Sequence, residues 1–188
     1  MKRLGLYGGT FDPVHHGHLI LARDAREQLG LEKVIFTPAA ASPFKDAPQA
    51  SPDLRLAMLH AAVGHQEGFE IDECELQRPP PSYTIDTIKE IAARQGEAKL
   101  VLLIGQDNVP GLSRWHRIDE LKKLVRFVVL DRTGTNVSSD YEIIQRKIDI
   151  SATEIRNRVA NGLSIRYLVP TAVEEIIRQG NLYREGAK

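Results

Sequence analysis

Apolar and polar positions follow two rhythms that alternate along the first two thirds of the chain. Arg3 to Tyr7 reads as a short apolar strand, and Leu19 to Leu29 places apolar residues at helical spacing until Gly30 stops the run. Val34-Ile35-Phe36 is again a strand, and Ser51 with Pro52 opens a helix carrying Leu54, Leu56, Met58 and Leu59. Phe69 to Asp72 alternates like a strand and Thr84 to Ala93 like a helix. Lys99 to Ile104 is a nearly continuous apolar strand, Ile118 to Leu124 a helix, and Phe127 to Leu130 another buried strand. Strands separated by helices predict an α/β fold, a doubly wound, Rossmann-like parallel sheet.

Past Gly134 the rhythm changes. Tyr141 to Ile150 predicts a last strand, and Thr153 to Val159 and Val173 to Arg178 predict two helices, a small C-terminal helical appendage. Residues 1–188 read as a single domain, with a Rossmann-like core over 1–134 and the last strand and C-terminal helices over 135–188. Two proline-bearing stretches, Ala39 to Pro52 and Arg78 to Ser82, predict loops over a site.

Composition narrows the classes. With 42% hydrophobic and 27% charged residues in 188, the chain is long enough to bury a sizeable core. Its 25 Lys and Arg balance 25 Asp and Glu, so an anionic ligand must be held by a few placed donors rather than by a global field. A nucleic-acid partner is not expected. One cysteine, Cys74, permits neither an internal disulfide nor a multi-cysteine metal site and fits a reducing, cytoplasmic setting. The opening residues run straight into a glycine turn, and no apolar stretch nears the roughly 20 residues that span a bilayer, so neither a signal peptide nor a membrane segment is expected.

The chemistry concentrates where the first strand ends, the usual ligand edge of a parallel sheet. Gly8-Gly9-Thr10-Phe11 lets backbone approach a phosphate, and a helix starting near His15 or His16 points its amide end at the same place. The spacing is neither Gly-x-Gly-x-x-Gly nor a Walker loop. His15 and His18, three apart with Gly17 between, can turn both imidazoles to one phosphate; packing or capping by His18 is the alternative reading. A zinc pair lacks a third ligand at suitable spacing, so no protein-held metal is expected.

This loop, with its His-x-Gly-His element, resembles the nucleotidyltransferase superfamily that includes the class I aminoacyl-tRNA synthetases. Ile150-Ser151-Ala152-Thr153-Glu154-Ile155-Arg156 is similar to its second signature, in which Ser151, Thr153 and Arg156 would hold the leaving phosphates of ATP. Three further segments, Pro81-Ser82-Tyr83-Thr84-Ile85-Asp86-Thr87, Ile104-Gly105-Gln106-Asp107 and Leu112-Ser113-Arg114-Trp115-His116, resemble the nicotinate mononucleotide adenylyltransferases. The resemblance implies adenylyl transfer from ATP to nicotinate mononucleotide in NAD biosynthesis, with Mg²⁺ carried on the ATP phosphates. It implies catalytic roles for His15, His18 and Arg156. Gly8, Gly9, Thr10, Phe11, Gly105, Asp107, Ser151 and Thr153 would complete the ATP site, and Lys45, Tyr83, Thr84, Trp115, His116 and Arg132 would bind the mononucleotide. Phe44 stands where the family commonly has a histidine, so one phosphate donor of the pattern is missing.

Trp115 can stack on a pyridine ring, and Thr84, at a predicted helix start after three prolines, offers free amides to a ring carboxylate, which favours the acid over the amide. Asp107 can bond a ribose hydroxyl or cap a helix. No nucleophile pairs with a base, and none is needed, because the mononucleotide phosphate can attack the α-phosphorus directly. Other phosphorylated acceptors, a synthetase and a silent nucleotide-binding module remain as rival readings. Assembly into a homo-oligomer is left open.

Overall fold

The computed structural model describes residues 2–40, 47–79, 81–134 and 140–184. Six parallel strands form one sheet: β1 (Arg3–Gly9), β2 (Lys33–Pro38), β3 (Phe69–Ile71), β4 (Lys99–Gly105), β5 (Arg126–Asp131) and β6 (Glu142–Gln145). Their spatial order is β3-β2-β1-β4-β5-β6. The order reverses direction between β1 and β4, so a crevice opens beyond the carboxyl ends of those two strands.

Alternation along the strands divides the interior into two cores. Tyr7, Val34, Phe36, Val101, Leu103, Val128 and Leu130 face one side. Leu4, Leu6, Ile35, Leu102, Ile104, Phe127 and Val129 face the other. The first side is covered by α1 (His16–Leu29), α2 (Pro52–Val63), α5 (Ala152–Ala160) and α6 (Thr171–Gln179), through residues such as Leu21, Met58, Ile155 and Val173. The second is covered by α3 (Thr84–Gln95) and α4 (Ile118–Leu124), through Ile85, Ile88, Ile91 and Leu121. Gly5 allows the close packing on the first side: a Cβ there would lie 2.8 Å from Leu31 Cδ1.

Two details depart from the sequence expectations. The last strand is short, β6 covering Glu142–Gln145, and the chain then runs beside β5's end, with Arg146 N donating to Asp131 O and Ile148 N to Arg132 O. The segment after β4, for which the sequence pattern predicted no element, is a 3₁₀ helix, Gln106–Arg114. Cys74 falls in the turn after β3, its backbone amide held by Asp72 Oδ1 at 3.0 Å. Among the described residues no helix is long and apolar enough to cross a membrane.

Candidate active site

Beyond β1 the chain turns sharply at Phe11, a buried residue at φ +49°. Its ring packs on Phe36 and edge-on to Tyr7 and to His18, at centroid distances of 5.7, 5.7 and 5.1 Å. Gly9 makes room for that ring, since a Cβ at Gly9 would meet it at 2.9 Å; Gly8 faces open space instead. Phe11 is thus the aromatic wedge that shapes the loop rather than a surface offered to a ligand.

Four anchors from distant elements fix this loop. The buried Asp12 carboxylate accepts from Gln49 N at 2.8 Å, Ala50 N at 3.2 Å and the Tyr183 hydroxyl at 2.7 Å. Arg55, fully buried on α2, donates through one nitrogen to the carbonyls of Thr10 and Ala39, each at 2.8 Å. Arg156 on α5 donates to Asp12 O at 2.8 Å and to Thr153 Oγ1 at 3.3 Å. Arg55 was not anticipated, although position 55 lies in helical phase with the buried Met58, Leu59 and Val63.

His15 caps α1 and His18 stands one turn inside it. Their rings stack, with centroids 3.7 Å apart and planes at 26°. The backbone amide of His15 donates to His18 Nδ1 at 3.2 Å, an assignment that puts the His18 proton on Nε2 and makes that atom a donor. His15 is buried, and that burial, reinforced by the nearby His18, Arg132 and His16, holds its pKa well below the ordinary histidine value. It is therefore a neutral imidazole. Its Nδ1 is buried without a hydrogen-bond partner among the described residues. Gly17 makes space for this ring, since a Cβ there would lie 3.0 Å from it.

The start of α5 adjoins this pair. Ser151 is its N-cap, its side chain accepting from Glu154 N at 3.1 Å. Arg132 donates to Ile150 O at 3.0 Å and its charge is felt by His15, which sets it beside the histidines and not in the cleft with Trp115. Asp107 is exposed at the first turn of the 3₁₀ helix, accepting from Asn108 Nδ2 at 3.3 Å, and its carboxylate lies over Gly105, where a Cβ would approach Oδ1 to 2.5 Å.

On the opposite side of the sheet a cleft opens between the strand ends and α3, lined by Gly8, Gly9, Thr10, Tyr83, Thr84, Trp115 and His116. Tyr83 and His116 stack at 4.3 Å, forming one rim. Trp115 is half-buried against the α3-side core. Thr84 is the first residue of α3, whose N-terminus has no side-chain cap; Asp86 N and Thr87 N donate to Tyr83 O at 3.0 and 3.4 Å, so the amides the helix start presents are those of Thr84 and Ile85. Three polar residues of the cleft were not anticipated. Glu75 is buried, its Oε1 accepting from Thr87 Oγ1 at 2.8 Å, and burial raises its pKa. Thr37 and Ser82 are buried with hydroxyls that have no hydrogen-bond partner among the described residues. Lys45 and Phe44 lie outside the described residues. Cys74 is no nucleophile, since burial and Asp72 push its thiol up to about 12. No group of three or more His, Cys, Asp or Glu among the described residues is placed to hold a metal.

A cytidylyltransferase-like family model matches residues 6–158. The chain is similar, at 43% identity over 97% of its length and 93% of the relative's, to a probable nicotinate-nucleotide adenylyltransferase of Gemmatimonas aurantiaca. A second of the same description from Methylacidiphilum infernorum is 43% identical over 96% of this chain and 92% of its own. Among solved structures, the nicotinic acid mononucleotide adenylyltransferase of Plasmodium falciparum complexed with NaAD superposes with a TM-score of 0.81 at 16% identity, covering 97% of this chain and 98% of that one. A putative nicotinate-nucleotide adenylyltransferase from Vibrio parahaemolyticus gives 0.72 at 19%, over 98% and 97%. At those identities the superpositions speak to the fold alone.

Proposed function

The chain belongs to the cytidylyltransferase-like family and, within it, to the nicotinate-nucleotide adenylyltransferases, and we propose from that premise how it joins ATP to nicotinate mononucleotide, releasing pyrophosphate and nicotinate adenine dinucleotide. One observation carries the reading: the end of β1 divides two unlike half-sites. On the α1 side lie stacked histidines, Arg156 and the start of α5, a set of donors suited to a polyphosphate. On the α3 side lies a cleft with Trp115 and an uncapped helix start, suited to a flat ring bearing an anion. Gly8 and Gly9 are the backbone between them.

The mononucleotide phosphate attacks the α-phosphorus of ATP in line; a phosphorus–oxygen bond forms to it and the bond to pyrophosphate breaks. His18 Nε2 and the neutral His15 ring donate hydrogen bonds to oxygens on which negative charge grows, already oriented before the reaction. Arg156, held by Thr153 and Asp12, brings the fixed charge to the departing phosphates. Arg132 belongs with this anion site. Asp107 suits a ribose hydroxyl of the adenosine, and Tyr83, Thr84, Trp115 and His116 hold the mononucleotide. Mg²⁺ carried on the ATP phosphates would neutralise phosphate charge there. The cytosol, where both nucleotides and a reduced Cys74 are at home, is the proposed setting.

Incubation with ATP, Mg²⁺ and each mononucleotide, reading pyrophosphate, tests the assignment. Release with nicotinate mononucleotide, and less with the nicotinamide form, is expected. Release only with a different phosphorylated acceptor would overturn it.

A further inference from the structure

We propose that the hydroxyls of Thr37 and Ser82 are specificity-determining donors that bind the ring carboxylate of the mononucleotide in the α3-side cleft, an inference that rests on the reading just given. Thr37 comes from the carboxyl end of β2, opposite Gly8 in the strand register, and is only 2% exposed. Ser82 comes from the segment leading into α3 and is 9% exposed. Both line the cleft, and neither hydroxyl oxygen has a hydrogen-bond partner among the described residues.

Buried polar groups in folded proteins nearly always find partners. Two orphaned hydroxyls in one cleft therefore mark a place where the partner arrives with the occupant. The wall around them includes the apolar Leu6, Ile88, Leu102 and Ile104. The nearby carboxyl of Glu75 is engaged by Thr87.

A hydroxyl can donate one bond or turn and accept, so the pair alone would tolerate an amide. Set beside the uncapped amide end of α3 it does not, because those N–H groups only donate. Hydroxyls and amides together make a cradle of donors, which a carboxylate with its several lone pairs satisfies and a carboxamide, with two N–H groups of its own, leaves partly unpaired.

The variants Thr37→Val and Ser82→Ala remove the hydroxyls with little change of shape. Steady-state kinetics with ATP and either mononucleotide should show KM for the nicotinate form rising about tenfold in each, the scale of a lost bond to a charged group. The ATP constant should stay within roughly twofold, and the preference for acid over amide should fall with the loss of the donor. The ligand-free thermal midpoint of Thr37→Val should hold or rise, since a hydroxyl without a partner gives way to a methyl. Unchanged KM values in the variants, with a wild-type protein that turns over nicotinate mononucleotide, would overturn this proposal alone. So would a lowered midpoint with both substrate constants rising together, the mark of a hydroxyl serving the fold. A wild-type protein inactive on nicotinate mononucleotide would overturn the functional reading as well.

Discussion

His18 and Trp115 separate the two substrates at the scale of single residues. His18 Nδ1 is engaged by the His15 amide, so what it offers outward is Nε2–H. His18→Ala should lower kcat by about 10² or more while leaving the ATP constant comparatively intact, as loss of a preorganised donor does. Turnover near the wild-type number would remove His18 from the chemistry. Trp115→Ala should instead raise KM for the mononucleotide, by roughly tenfold for a lost ring contact and its apolar area. A change confined to the ATP constant would reverse the two pockets.

Among the elements, the amide end of α1 depends on a side chain that is absent. The ring of His15 occupies the space a Cβ at Gly17 would need, 3.0 Å away. Gly17→Ala should therefore displace that ring and lower kcat about tenfold, while the helix itself gains up to about 1 kcal/mol from exchanging glycine for alanine. A lower kcat with a thermal midpoint that is unchanged or higher is the expected pair of results; wild-type kcat would mean the ring tips aside freely. The same elements show what a sequence carries openly. Helical periods marked the helices because each buries one face, continuous apolar runs marked the central strands because both of their faces are buried, and Ser151 could be read as a cap because capping is local. The 3₁₀ helix after β4 escaped, because Pro110 and Gly111 punctuate short helical turns as they do loops. Gly17 was read in its motif, but its closeness to the His15 ring was not, since that contact is made in space by a side chain. Thr37, Glu75 and Arg55 escaped for a related reason: each matters through contacts between elements far apart in the chain, such as Arg55 with Thr10 and Ala39.

For the whole molecule, the buried histidine ties stability to acidity. His15 in the unfolded chain takes up a proton as pH falls through about 6.5, whereas the folded protein keeps the ring neutral well below that value. The unfolded state then binds more protons, so this group makes the fold less stable as pH drops from about 6.5, and has no such effect above it. Glu75 works in the opposite sense, because burial raises its folded pKa and acid then favours the fold. Comparing wild type with His15→Asn isolates the first effect. The difference between their thermal midpoints should narrow between pH 7.5 and 5; a constant difference would mean His15 becomes charged in the fold as easily as outside it.

The loop after β1 also sets an order of events during synthesis. It leaves the ribosome before any of the groups that hold it, which arrive one after another: Arg55, then Arg156, then Tyr183, whose hydroxyl bonds Asp12 across 171 positions of sequence. The loop is made before it can be finished. A translation product cut short before Tyr183 would contain both histidines and every strand, but with Asp12 short of one of its three partners. Completion of the loop thus waits on a hydroxyl 171 positions further along the chain.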